Sequence, residues 1–98
     1  MAEIIVKSTE PEKALVMLKD AIAKKIALLE VSRQKYRKRL DKFEQKYNIT
    51  SAQFINEWAA EDLEGKDMEY VEWAGEYHLY LDVEEELNIL NSLEYVTR

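Results

Sequence analysis

Residues 11–47, PEKALVMLKDAIAKKIALLEVSRQKYRKRLDKFEQKY, decide the fold. No Gly and no Pro interrupts the stretch after Pro11. Its apolar positions Leu15, Ile22, Ile26, Leu29, Tyr36, Leu40, Phe43 and Tyr47 recur at helical spacing. From Ile22 the steps alternate four and three, and Arg33 is the only charge in the series. That spacing draws one apolar seam along one side of a helix. A helix of this length spans roughly 55 Å, long for so small a chain, so it must be one arm of a hairpin or bundle. Thr9 and Glu12 have the spacing of a capping box, with Pro11 in the first turn where its missing N–H costs nothing.

The next elements follow from punctuation. Asn48 breaks the pattern. Thr50 and Gln53 form a second capping box, and Ile49 and Phe54 occupy the two positions of a hydrophobic staple. A short helix is expected over 51–60, carrying Phe54, Ile55 and Trp58. The connector Glu61-Asp62-Leu63-Glu64-Gly65-Lys66 leads to a helix over 67–95 that Asp67 can cap. Trp73, Tyr77, Tyr80, Val83, Leu87, Leu90 and Leu93 line one stripe of that helix. Gly75 lies inside it, where Gly often marks the close approach of a neighbouring group. Residues 1–8 read as an extended arm, because Ile4-Ile5-Val6 has β-branched character but no second strand to pair with. The expectation is a single all-α domain over 1–98. Its long helix covers 10–47 and pairs with the last helix as an antiparallel hairpin. The short helix sits at the turn, where Phe43, Tyr47, Phe54, Trp58, Trp73 and Tyr77 should cluster.

Composition narrows the function. The chain has no Cys, one His and two Gly. Disulfides, thiolate metal sites, cysteine nucleophiles and Gly-rich phosphate cradles are therefore not expected. The lone His78 suits an i,i+4 ion pair with Asp82 better than a catalytic dyad. Di-iron bundles need Glu-x-x-His, and the position three before His78 is Gly75. No cofactor or metal is expected, and no enzymatic activity. No apolar run approaches a membrane span, and the N-terminus lacks the pattern of a signal peptide, so a cytoplasmic protein is expected. The many Lys and Glu would suit a heat-tolerant protein.

Charge is sharply divided. Residues 1–49 carry twelve bases and seven acids, a balance of +5; residues 50–98 carry two bases and thirteen acids, a balance of −11. An antiparallel hairpin lets one arm neutralise the other. Arg33–Lys46 should lie along 67–80, and Lys19–Lys25 along Asp82–Glu94. The bases Arg33, Lys35, Arg37, Lys38, Arg39, Lys42 and Lys46 also form the one credible nucleic-acid surface. Their interleaved aromatics, however, belong to the seam and not to a stacking platform.

The residues Phe43-Glu44-Gln45-Lys46-Tyr47-Asn48-Ile49-Thr50-Ser51-Ala52-Gln53-Phe54, followed by Asp67-Met68-Glu69-Tyr70-Val71-Glu72-Trp73-Ala74-Gly75-Glu76-Tyr77, carry a resemblance. They are similar to a pattern in small helical proteins of prokaryotes, mainly archaeal, that look like the antitoxin-like partner of two-gene toxin–antitoxin pairs. The resemblance covers about a third of the chain and includes no catalytic residue. It implies a non-catalytic protein that neutralises a larger partner, such as a toxin enzyme.

Independently of the resemblance, both long helices have more apolar positions than one hairpin can bury. Met17, Leu18, Leu28, Val31, Leu79, Leu81 and Ile89 lie off the two stripes and are candidates for association, as a dimeric helical bundle or with a larger protein. Glu72, Glu76, Asp82 and Glu85 are candidates for steering a basic partner.

Overall fold

The computed structural model describes residues 2–57 and 68–96, which hold three helices and no strand. α1 runs Pro11–Tyr47, α2 Ser51–Glu57 and α3 Met68–Asn91. α1 and α3 pair along their lengths as an antiparallel hairpin, with α2 packed across the end nearest Tyr47. Trp58, the 58–60 part of the short helix, the connector and the Asp67 cap lie outside the described residues.

The start of α1 differs from expectation. Glu10, not Thr9, is the N-cap residue, no side chain caps the helix, and Pro11 follows directly. The hydroxyl that engages this corner is that of Ser8, which accepts the Glu10 N–H at 3.0 Å. Pro11 needs no N–H partner, so a cap at Thr9 has less to satisfy. At the other end Asn48 adopts the left-handed conformation (φ 52°, ψ 46°), and its N–H returns to the Glu44 carbonyl. Asn tolerates that region better than most residues, so the chain can turn at once into α2. The capping box of α2 forms as read: the Gln53 N–H donates to Thr50 Oγ1 at 3.1 Å, and the Thr50 N–H to Gln53 Oε1 at 3.4 Å.

The core has two parts. At the turn end Leu40, Phe54 and Trp73 are fully buried, with Phe43, Tyr47, Ile49, Tyr70 and Tyr77 packed around them. Farther along, Leu29, Val83 and Leu87 form a second cluster beside Ile26, Tyr36 and Leu90. The second cluster lies wholly on the seams expected from spacing; the turn-end cluster adds Ile49, Phe54 and Tyr70 to them.

α3 ends at Asn91, four residues short of the expected 95. Ser92 Oγ donates to the Ile89 carbonyl at 2.6 Å, closing the last turn. Ser and Asn compete with the helix for backbone partners, which explains the early stop. α1 therefore outlasts α3. Lys46 pairs with Glu69, Arg39 with Glu76 and Arg33 with Glu84. This register brings the end of α3 level with the stretch around Lys24. Among the described residues, the first three turns of α1 have only the tail after Asn91 beside them; there Lys19 lies 5.0 Å from the Tyr95 ring. The expected pairing of Lys19–Lys25 with acids of the last helix does not form among the described residues, and Lys24 instead binds Asp20 of its own helix at 2.9 Å.

The molecule is accordingly long, 57 × 24 × 20 Å. Its radius of gyration is 19.0 Å, against roughly 13 Å for a compact chain of this length. Its accessible surface of 7937 Å² compares with about 5,800 Å² expected for a compact monomer of this mass.

Candidate functional site

The chemistry-bearing groups of this chain are first of all partners of one another. Trp73 anchors the turn end. Its ring stacks on Phe54 with centroids 3.9 Å apart and planes 3° from parallel, and Phe43 and Tyr47 each lie 5.5 Å away. A buried indole needs an acceptor for its N–H. Ser51, itself buried, provides it: Trp73 Nε1 donates to Ser51 Oγ at 2.9 Å. Ser51 Oγ donates onward to Glu44 Oε2 at 2.7 Å, and the Ser51 N–H donates to the same oxygen at 2.9 Å. The other oxygen, Glu44 Oε1, accepts Arg37 Nη2 at 2.7 Å, while Arg37 Nε donates to Asp41 Oδ1 at 2.9 Å. The Arg37 guanidinium also lies 5.3 Å from the Tyr80 ring centroid. One chain of hydrogen bonds thus joins all three helices.

This network sets its own ionisation. Burial opposes a charged Glu44, but the Ser51 hydroxyl, the Ser51 N–H and Arg37 outweigh it and hold the carboxyl below its ordinary range. Burial likewise opposes a charged Arg37, and its bonds to Glu44 and Asp41 hold the guanidinium more firmly protonated than usual. Both groups stay charged and tied to each other. That suits a structural clamp, because general acid–base work needs a group poised near the working pH.

A second set closes the α1–α3 seam. Lys46 Nζ donates to both oxygens of Glu69, at 2.8 and 2.9 Å, and Tyr47 Oη donates to Glu69 Oε2 at 2.8 Å. The hydrogen bond to Glu69 raises the Lys46 pKa, and the bonds from Lys46 and Tyr47 lower that of Glu69. Arg39 Nη1 reaches Glu76 Oε1 at 3.0 Å. Between these pairs lies an open groove of about 560 Å³, lined by Arg39, Lys42, Phe43 and Lys46 on one wall and by Glu69, Glu72 and Glu76 on the other. Its two walls carry opposite charge, so it offers neither a cation site nor an anion site a net field.

The sequence-derived candidates separate in three dimensions. Of the seven bases over 33–46, Arg33, Arg37, Arg39 and Lys46 bind acids within the chain, whereas Lys35, Lys38 and Lys42 make no ion pair among the described residues. Glu72 and Glu76 line the groove beside α1. Asp82 and Glu85 fall on the outer side of α3, so the four acids do not form one face. Met17, Leu18, Leu28, Val31, Leu79, Leu81 and Ile89 are all exposed. They too do not share a surface: residues two apart on a helix point in nearly opposite directions, which sets Leu79 against Leu81. Met17, Leu28 and Val31 do share one side of α1.

Two readings of single residues are corrected. His78 makes no ion pair with Asp82 among the described residues, so both side chains belong to solvent. Gly75 does not mark a close approach, since a Cβ there would meet nothing within 4 Å. The aromatic corner around Trp73 and Tyr77 is built without it. Ser51 and Glu44 are the central polar residues that sequence reasoning did not single out. The available signals were a serine directly after a capping threonine and an Arg–Glu pair seven apart on one helix face.

Among the described residues no group of three or more metal-ligating side chains converges, and no helix is long and apolar enough to cross a membrane. The class the architecture defines is an elongated all-α hairpin with a capped turn. Comparison with protein-family models, with curated proteins and with solved structures finds no match.

Proposed function

We propose that this chain is a non-catalytic protein–protein interaction module, of the kind that neutralises a partner enzyme as an antitoxin does. The observation that carries the reading is a division of labour. The buried polar groups are spent on joining the helices, while large apolar side chains on both long helices face outward. Met17, Leu28 and Val31 are 71%, 68% and 64% exposed. Exposed apolar surface of this extent on a small protein is a mark of association. The acids Asp82 and Glu85 on the outer side of α3, free of ion pairs among the described residues, would orient a basic partner such as an RNA-directed enzyme.

A second reading has one specific support. Lys35, Lys38 and Lys42 lie on one side of α1 without acidic partners among the described residues, a line of charge that a nucleic-acid backbone would satisfy. Capture of the full-length protein from an extract of its source, with and without nuclease, separates the two. The first reading expects a defined protein partner retained after nuclease treatment. Loss of all binding on nuclease treatment would replace it with the second.

A further inference from the structure

The outer side of α1 carries a second regular series. Ala14, Met17, Ala21, Lys24, Leu28 and Val31 follow one another at steps of three, four, three, four and three. This is the spacing of a coiled-coil seam, and it lies well away from the seam that α3 covers. Met17, Leu28 and Val31 on it are exposed. The one charge in the series, Lys24, is tied back to Asp20 at 2.9 Å. Its aliphatic stem can then lie along the apolar track with its ammonium at the edge.

We infer that this face is occupied by a second copy of the same chain, with the two α1 helices antiparallel and a two-fold axis between Ile22 and Ala23. Three features favour that occupant. The series is self-complementary about this axis: Ala14 falls level with Val31 of the partner, Met17 with Leu28, and Ala21 with Lys24. Small alanines then face the larger side chains, as interdigitating helices require. Charge complements the register at both ends. Glu10, the N-cap residue, stands four residues before Ala14 with its carboxylate 3.5 Å from Lys13, Lys35 continues the series four residues after Val31, and the register brings this Glu10 end of one chain to the Lys35 of the other. The overlap also ends where the apolar character ends. Beyond Lys35 the track turns basic at Lys38 and Lys42, where a partner helix beginning at Pro11 has run out.

The overlap of about 24 residues is roughly 36 Å long. The chain's accessible surface of 7937 Å² exceeds the ~5,800 Å² of a compact monomer by more than the ~800 Å² per partner that a stable interface takes. The inference deepens the interaction reading by assigning one face to self-association, which leaves the outer side of α3 for a different protein.

The test uses the full chain. Light scattering should give twice the 11.6 kDa chain mass. Leu28→Lys should weaken the dimer by at least about tenfold with its helical circular dichroism unchanged. Leu81→Lys, off this face, should leave the dimer intact. Should Leu28→Lys lose helicity, Val31→Lys reads the same face one turn on. Spin labels on Gln34→Cys, in a chain with no other cysteine, should lie about 35 Å apart along the axis, against roughly 10 Å for a parallel pair. A wild-type monomer at millimolar concentration, a dimer that survives Leu28→Lys and Val31→Lys, or a short label distance would each overturn the inference. None of these outcomes touches the capture of a different protein partner, which is scored separately.

Discussion

The two ends of the hairpin use similar residues in different company. At the turn end three helices meet, and Trp73, Phe54 and Leu40 are sealed from water with a hydrogen-bond chain running through them. Toward the open end only two helices meet. There Leu29, Val83 and Leu87 are buried, but their flanks Ile26, Tyr36 and Leu90 stay partly wet. Past the end of α3 one helix continues with little cover, and Val16 and Met17 remain exposed. A two-helix contact can enclose one row of side chains and no more; the third element completes the shell. Order should therefore fall from the turn end to the open end, and the surplus apolar surface collects where the third element is missing.

The sharpest way to break this contrast is to cut the core at each end. Trp73→Ala should cost ~3–5 kcal/mol in chemical denaturation, the range for a large buried aromatic, because three helices hold the cavity open. Leu87→Ala should cost less, ~2–3 kcal/mol, since a two-helix site collapses more easily. Phe43 is only half-buried, so Phe43→Ala should fall below the Trp73 value. Equal losses at Trp73 and Leu87 would mean that the ends do not differ in packing.

The next effect isolates the polar chain. Ser51→Ala leaves the Trp73 indole N–H without its acceptor and removes the hydroxyl from among the donors to Glu44, and should cost ~1–3 kcal/mol. The pH dependence has a definite sign. Glu44 has a lower pKa folded than unfolded, so its contribution is complete above its ordinary value of 4.5 and is lost as pH falls through the folded value. Stability measured downward from pH 5 should therefore decline in the wild type, and decline less in Ser51→Ala. Parallel acid limbs in the two proteins would remove Ser51 from this role.

Gly75→Ala tests the middle of α3. With open space around the position, the change should stabilise the protein by ~0.5–1 kcal/mol through helix propensity and the unfolded chain. A destabilised variant would point to a neighbour that approaches Gly75 in solution.

The smallest effect lies on the seam. Lys46–Glu69 and Arg39–Glu76 are exposed pairs of little individual weight, so their effect is collective. Melting temperature should fall modestly as salt rises from low to moderate concentration. A rise with salt would mean that repulsion among Lys35, Lys38 and Lys42 outweighs those pairs.

Much of this architecture was legible from the chain alone. The long helix, its seam, the break at Asn48, the Thr50–Gln53 box and the stripe of α3 are all carried by spacing along one segment, and a helix converts spacing into direction without outside help. The charge division foretold the seam pairs at Lys46 and Arg39 for the same reason, since antiparallel pairing follows once two stripes and a turn are known. What only the tertiary structure decided concerns groups far apart in sequence. Ser51 joins Trp73 to Glu44 because α2 sets its first turn against both long helices, and no local rule contains that distance. The unused cap at Thr9, the open space at Gly75 and the short reach of α3 are likewise outcomes of competition among neighbours. The scattering of seven off-stripe apolar residues over several faces, with one coherent series left on α1, belongs to the same class. A pattern tells which way a side chain points from its own axis; what stands opposite depends on where the other axes lie.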